Sequence, residues 1–280
     1  MRDIVNGSVY GFPQKAGAEA EAGEKDMQGG WSLHIKDQSW VEDTENQVDF
    51  VISTLGLRGD ERILDMACGF GRHALSLARR GFSVVGVDIT EAYIEDARRE
   101  AAKASLNAAF HLCDVRDIDF REEFDVVLNL ADGAIGYFAT DEENLVTFDK
   151  IAQALRPGGK HFMDVCNAEH AEQYFPKRHW QIGSKILSLP EFDWDRDRRR
   201  MIYGGWEIAF GEVAQRPVPM GRGDGARLYS LGELEAILRE RQMHVVQAFS
   251  DYYGKEATAK ELQLLVYARK NERGDAQTCF

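Results

Sequence analysis

A doubly wound α/β fold follows from three features of this sequence. Ile63 to Asp88 reads as strand, glycine turn, helix and strand, the pattern of a βαβ unit. Strand-like apolar runs then alternate with helical spacing as far as Cys166, as in a sheet wound with helices on both faces. Last, a closing helix precedes two further strand-like runs. The order is helix, five βα units, an insertion, helix, strand, strand.

The first unit is the most specific about its ligand. Ile63-Leu64-Asp65-Met66 is a short apolar run containing a carboxylate, and Ala67-Cys68-Gly69-Phe70-Gly71 is a small-residue turn. Arg72 to Arg80 has helical spacing, Gly81 stops it, and Phe82 to Val87 is a second buried strand ending in Asp88. Gly69 and Gly71 let a ligand lie against the backbone, and the next helix points free N–H groups at the turn. Asp88 follows Gly71 by 17 positions (88 − 71), where a carboxylate can accept both hydroxyls of a ribose. The unit therefore predicts an adenosine-bearing ligand without saying which.

Composition bounds the rest. With 280 residues, 44% apolar and 10% aromatic, the chain can build one large α/β domain with an elaboration. A formal charge of −13 argues against nucleic acid and anionic membrane as partners, since both need cationic footprints. No stretch is long and apolar enough to span a bilayer, and Met1 to Gly30 lacks the apolar core of a signal peptide. Cys68, Cys113, Cys166 and Cys279 form no C-x-x-C pair and read as reduced thiols, which makes the cytoplasm the expected compartment. The histidines show no ligand spacing, so no metal is expected.

In chain order, Met1 to Gly30 is a solvated Ala/Glu/Gly run interrupted by Tyr10 and Phe12, with Trp31 just beyond; Tyr10 reads as incidental packing, and for Trp31 packing and a flap over a ligand are both open. Gln38 to Leu57 has helical spacing, closed by Gly56 and Gly59, with Trp40 near its start. Glu91 to Ala104 is a helix with Thr90 as its cap, and Ala109 to Cys113 a short strand leading to Asp114-Val115. Phe124 to Leu130 is a fourth strand, apolar until Asn129, followed by a loop from Ala131 to Phe138. Asp141 to Leu155 is a helix with acids in its first turn, Arg156-Pro157-Gly158-Gly159 ends it, and Lys160 to Cys166 is the fifth strand. Ala171 to Leu228 breaks the alternation; FDWDRDRRRMIYGG within it reads as a hairpin whose turn carries the charges. Ser230 and Glu233 form a capping box for a helix to about Arg241, and His244 to Tyr253 and Glu261 to Lys270 are the closing strands.

LDMACGFG resembles the first motif, (D/E)-x-G-x-G-x-G, of the class I S-adenosylmethionine-dependent methyltransferases, with Ala67 at the first glycine. Arg156-Pro157-Gly158-Gly159 and the closing helix with two strands resemble the same family, and the resemblance spans Gln38 to Lys270. It implies a Rossmann-like doubly wound seven-stranded sheet with an antiparallel C-terminal β-pair and a β-rich substrate lid inserted after strand five. The expected boundaries are a flexible arm over 1–37, a cofactor-binding core over 38–170, the lid over 171–228, a closing part over 229–270 and a tail over 271–280.

The resemblance also implies S-adenosyl-L-methionine as cofactor, S-adenosyl-L-homocysteine as product, and cofactor contacts at Asp65, Ala67, Gly69, Gly71, Asp88, Ile89, Asp114, Val115, Asn129 and Leu130. Asp114 would meet the adenine amino group. The reaction implied is in-line transfer of a methyl group to an amine or hydroxyl of a small metabolite. Asp132, Tyr137 and His170 are the catalytic candidates near the strand tips, with His73 on the cofactor side. Asn129-Leu130-Ala131-Asp132 departs from the N-P-P-Y pattern of enzymes that methylate nucleobase or glutamine nitrogens, which favours a small-molecule partner. Two rivals remain at this level: a non-methylating binder of the same cofactor, and a nicotinamide-dependent oxidoreductase, which would want G-x-G-x-x-G. Oligomeric state is open, a homodimer included.

Overall fold

The computed structural model describes residues 33–211 and 225–274; Tyr10, Phe12, Trp31 and Cys279 lie outside them. Two 3-10 turns, Leu33–Asp37 and Ser39–Val41, lead into α1 (Thr44–Leu55). The helix is shorter than its spacing predicts because Gln38 and Ser39 are drawn aside to a second sheet, where Ser188 Oγ donates to Gln38 Oε1 at 3.2 Å and Ser39 Oγ donates to Gln181 Oε1 at 3.0 Å. Gly56 ends α1 in left-handed backbone (φ 58), donating to the Ile52 and Ser53 carbonyls.

Then follow β1 (Arg62–Met66), α2 (Arg72–Arg79), β2 (Ser83–Asp88), α3 (Glu91–Lys103), β3 (Ala108–Leu112), β4 (Phe124–Asn129), α4 (Asp141–Ala154), β5 (Leu155–Cys166) and α5 (Ala168–Tyr174). Short strands β6 (Lys177–Arg178) and β7 (Gln181–Ile182) precede β8 (Ile186–Asp195), β9 (Arg200–Ala209) and β10 (Ala226–Arg227). The chain closes with α6 (Leu231–Glu240), β11 (Met243–Phe249) and β12 (Gln263–Lys270).

Seven strands form one sheet in the order β11-β12-β5-β4-β1-β2-β3, parallel except for β12, which runs antiparallel to both of its neighbours. Alternation along β1 sends Ile63 to one face and Leu64 and Met66 to the other. The first face is covered by α1, α2 and α3 through residues such as Val48, Leu77 and Ile94; the second by α4 and α6 through Phe148, Ile151, Leu234 and Leu238. The Rossmann-like fold expected from the resemblance is therefore present, with its switch point between β1 and β4.

Two local expectations are corrected. Arg156 to Gly159 do not form a separate turn: β5 runs on from Leu155, and these residues bulge out of the ladder. Partners advance from Leu155 to Lys160 on β5 while β4 advances only from Phe124 to Val126. Gly158 takes φ 74 in that bulge. Thr90 sits at the N-cap of α3, but its side chain makes no capping hydrogen bond; its backbone N–H is instead held by Asp88 Oδ1 at 2.8 Å.

The insertion after β5 is a separate antiparallel sheet. Its spine is the hairpin of β8 and β9, paired from Ile186↔Ala209 to Asp195↔Arg200, with the charged turn between them as expected. Phe192, Trp194 and Met201 face inward and pack with Cys166 and Ala171. Arg200 Nη2 donates to the Phe138 carbonyl at 2.7 Å and the Arg227 N–H to the Gly136 carbonyl at 2.7 Å, so the second sheet is fastened to the loop after β4.

The capping box at α6 carries more than the helix. Glu233 accepts from Ser230 N at 2.8 Å, from Arg227 Nη2 at 2.7 Å and from Arg199 Nη2 at 2.7 Å. Burial alone would raise its pKa, but the Ser230 and Arg227 hydrogen bonds and the Arg227 charge outweigh it and bring it down to about 2 from 4.5. A depressed carboxylate stabilises the fold above its unfolded pKa, and that contribution disappears as pH falls through the folded value. Glu233→Gln is thus expected to be less stable than wild type at neutral pH, with the gap closing between pH 4.5 and about 2. Urea midpoints of both proteins at neutral pH and at about pH 3 check this; a gap that stays constant would contradict it.

Candidate functional site

A cleft of about 990 Å³, its mouth included, opens at the carboxyl ends of β1, β2 and β4. Its floor is the turn after β1, where Ala67 (φ 54), Gly69 (φ 56) and Gly71 (φ 75) all take left-handed backbone. Gly69 costs nothing there, whereas Ala67 carries a Cβ in a region that penalises L-residues by about 1–2 kcal/mol.

Asp88 holds that turn. Its Oδ2 accepts from Gly69 N at 2.8 Å and its Oδ1 from Thr90 N at 2.8 Å, joining the tip of β2 to the glycine turn. Burial raises its pKa despite these bonds. Two carboxylate oxygens offer about four acceptor sites, so capacity remains for hydroxyls in the cleft. Beneath the turn, Asp65 takes a hydrogen bond from the Ala74 N–H in the first turn of α2, and burial, reinforced by the like charge of Asp88, lifts its pKa to about 7. Its Oδ2 is buried and makes no hydrogen bond with the described residues.

Of the cofactor residues expected from sequence, Ala67, Gly69, Asp88, Ile89, Asp114, Val115 and Leu130 line the cleft together. Gly71 does not. It packs: a Cβ there would stand 2.9 Å from Phe110 and 3.1 Å from Ala97. Asn129 is also behind the wall, donating from Nδ2 to the Gly133 carbonyl at 2.8 Å while His161 Nε2 donates to its Oδ1 at 3.1 Å. Asp114 is gripped by Arg116, with Nη2 to Oδ2 at 2.7 Å and the backbone N–H to Oδ1 at 2.8 Å. Burial would raise its pKa, yet these contacts hold it below the ordinary value.

The catalytic candidates separate. Tyr137 lines the cleft and donates from its hydroxyl to Asp132 Oδ2 at 3.2 Å, with Asp132 itself buried behind the wall. His170 is elsewhere: it is buried on α5, its ring 4.7 Å from Tyr174 and 6.0 Å from Phe175. His73 reaches the cleft, but its Nε2 is bonded to Gln47 Oε1 at 2.8 Å, and burial together with the Arg72 charge pushes its pKa far down, so it is neutral.

Sequence reading missed Ile35, Phe70, Arg72 and Phe138 as lining residues. Arg72 lies with its guanidinium 4.9 Å from the Trp40 ring and donates to Thr44 and Gln47. It also missed Asp164 on β5, although an acid inside the apolar run Phe162-Met163-Asp164-Val165 was itself a signal. Among the described residues, no helix is long and apolar enough to cross a membrane, and no group of three or more His, Cys, Asp or Glu is arranged to hold a metal ion.

Fold and cleft define a protein that seats an adenosine-bearing ligand across its switch point. A family model described as "Methyltransferase domain" matches residues 63–159. The chain is 33% identical over 217 residues to "Putative methyltransferase YqeM" of Bacillus subtilis (strain 168), covering 75% of this chain and 85% of that protein. Two solved structures share its fold. One is an S-adenosylmethionine-dependent methyltransferase from Clostridium acetobutylicum ATCC 824 (TM-score 0.69, 18% identity, 85% of this chain and 97% of that one). The other is the 1,6-didemethyltoxoflavin-N1-methyltransferase of Burkholderia thailandensis, solved with 1,6-didemethyltoxoflavin and S-adenosylhomocysteine (TM-score 0.57, 17% identity, 93% and 94%). The chain belongs to the class I S-adenosylmethionine-dependent methyltransferases, and its cofactor is S-adenosyl-L-methionine.

The residues present fit that cofactor. The unpartnered Asp65 oxygen under the turn suits a cationic group, and a cation there would restore its ionised form. The two turn residues are expected to respond in opposite ways to substitution. Ala67→Gly relieves the left-handed Cβ and should leave stability equal or higher by up to about 1 kcal/mol, the gain being partly offset by glycine's chain entropy. Gly71→Ala should cost about 2–3 kcal/mol, because its Cβ has no room beside Phe110 and Ala97. Urea unfolding of the two variants beside wild type reads both signs, and a destabilised Ala67→Gly would count against the backbone argument.

Proposed function

We propose that this methyltransferase transfers a methyl group to an amine or hydroxyl of a small-molecule metabolite. The observation that carries this is Tyr137, which lines the cleft and whose hydroxyl is bonded to the buried Asp132. A heteroatom acceptor sheds a proton on methylation, and a hydroxyl backed by a carboxylate is a route for it. When bound, the cofactor supplies a sulfonium methyl: the acceptor's lone pair forms the new bond to carbon as the carbon–sulfur bond breaks with its electrons going to sulfur.

What remains for the protein is binding, orientation and proton management. In this reading Asp88 holds the ribose hydroxyls, Asp65 lies toward the methionine ammonium, and Asp114, Val115, Ile89 and Leu130 frame the adenine. Ala67 and Gly69 give close backbone approach. Gly71 and Asn129 act one layer back, by packing and by holding the loop after β4.

The second sheet, within 171–228, serves as the substrate lid, and 38–170 with 229–270 form the cofactor-binding core. The small-molecule reading draws support from the Burkholderia neighbour, whose bound acceptor is a small heterocycle. The free thiols Cys68, Cys113 and Cys166 support a cytoplasmic setting. Asp88→Ala is expected to weaken S-adenosylhomocysteine binding by about 1.5–3 kcal/mol, the loss of hydrogen bonds to a charged group. Isothermal titration calorimetry reads this directly, and an unchanged affinity would remove Asp88 from the ribose site.

A further inference from the structure

We propose that Tyr137, Asp132 and Asp164 form a proton relay into the core: Tyr137 takes the acceptor's proton, Asp132 stores it, and Asp164 is a fixed charge that makes Asp132 hold it. The proposal rests on the methyl-transfer reading above.

The geometry comes from the turn after β4. Ala131 (φ 51), Asp132 (φ 68), Gly133 (φ 50) and Ala134 (φ 62) are four successive residues in left-handed backbone. Three of these carry a Cβ in a strained region, and such strain persists only where surrounding contacts enforce it. Here the Asp132 N–H donates to the Asp164 carbonyl at 2.8 Å, and Asn129 Nδ2 donates to the Gly133 carbonyl at 2.8 Å. Ala131, Gly133 and Ala134 face the cleft, whereas Asp132 is turned inward and 4% exposed. The turn buries an acid one residue behind the wall, and Tyr137, a residue that lines the cleft, donates its hydroxyl to it at 3.2 Å.

Asp164 lies deeper, 2% exposed, and each of its oxygens accepts a hydrogen bond: Oδ2 from Tyr252 Oη at 2.8 Å and Oδ1 from Gln263 Nε2 at 3.1 Å. Donors on both oxygens favour the charged form of Asp164. Asp132 is faced by Asp164, by the Tyr137 hydroxyl and by the N–H and thiol of Cys166. Tyr203 lies beside Tyr137, and Arg72 beside Asp164 and Tyr252, its charge also shared with Asp65 and Asp43. Burial first, then the Asp164 charge, raises the Asp132 pKa well above the carboxylate range.

That shift favours the protonated form of Asp132, and a positive charge brought into the cleft favours the ionised one. On transfer the acceptor's proton goes to Tyr137 Oη as the Tyr137 proton goes to Asp132 Oδ2. The positive charge of the donor and the negative charge of Asp132 vanish in one step. Asp164 touches neither substrate nor cofactor and is a positioning residue.

Infrared difference spectroscopy of the full chain tests this without turnover. The carboxylic acid C=O band of Asp132 is expected in the unliganded protein and with S-adenosylhomocysteine. It should disappear with sinefungin, which carries an ammonium where the sulfonium stands, and be absent from Asp132→Asn. In Asp164→Asn its titration should move down by about one pH unit or more, and in Tyr137→Phe it should move up, since that hydroxyl stabilises the ionised form. If Asp164→Asn does not fold, Tyr137→Phe decides. Both ligands binding by calorimetry while the band ignores sinefungin, or ignores the Tyr137→Phe change, would overturn the relay alone. Binding of neither ligand would overturn the methyl-transfer reading, and the relay with it.

Discussion

At the carboxyl ends of β1 and β4 the chain must turn away from the sheet without filling the space between them, and both exits do so in left-handed backbone. After β1 the residues concerned are Ala67, Gly69 and Gly71; after β4 they run from Ala131 to Ala134, with Gly136 beyond. A right-handed exit from either strand would carry side chains over the switch point. The left-handed turns instead place Ala67, Gly69, Ala131, Gly133 and Ala134 among the residues that line the cleft. Strain of this kind needs compensation nearby. Asp88 supplies it at the first turn by accepting from Gly69 and Thr90. At the second, Asn129 holds the Gly133 carbonyl, Asp164 accepts from the Asp132 N–H, and the Arg227 N–H reaches the Gly136 carbonyl. A Cβ on Gly136 would stand 1.9 Å from the Arg227 carbonyl oxygen, so that glycine is fixed by the approach of another strand rather than by a ligand.

The same strand tips gather buried acids. Asp65, Asp88, Asp132 and Asp164 are each no more than 8% exposed, and Arg72 lies beside Asp65 and Asp164. Desolvation of several carboxylates together is unfavourable, and the protein meets it partly with backbone and hydroxyl donors and partly by proton uptake, as the raised pKa values of Asp65 and Asp132 record. A cationic ligand relieves both. The cleft is therefore electrostatically prepared for a positively charged cofactor in a way that a pyrophosphate-bearing dinucleotide would find repulsive.

Much of this was legible in the sequence, for identifiable reasons. The βαβ unit announces itself because strand and helix periods differ and glycine marks the change. The Asp88 position follows from that spacing. What was not legible depends on contacts made far along the chain. Gly71 looks like a ligand glycine until Phe110 and Ala97 are seen against it. Arg156 to Gly159 look like a turn, and only the pairing of β5 with β4 shows that the strand continues through them as a bulge. Gln38 to Val41 have the spacing of a helix, but hydrogen bonds to residues near 181 and 188 pull them out of it. His170 leaves the fifth strand at the expected place, yet α5 turns it into the packing under the second sheet. Asp164 went unread because a lone acid in an apolar run says that a partner exists without naming it; Tyr252 and Gln263 lie 88 and 99 residues away in sequence.

The division of the cleft between two sources of structure bears on how such a protein acquires its substrate. In the proposed reading the cofactor half is built mainly by β1, β2, β3 and the residues that follow them, all internal to the core. The acceptor half hangs on the loop after β4, and that loop is held from two sides. Asn129, His161 and Asp164 of the core hold its start. Arg200 of the second sheet holds its end through the Phe138 and Ala139 carbonyls, and Tyr137 packs against the cluster that contains Phe192 and Met201. A change in the second sheet can therefore move Tyr137 without disturbing Asp88 or the glycine turn. In the proposed reading, the acceptor side of the cleft thus rests on the strained turn that carries Asp132.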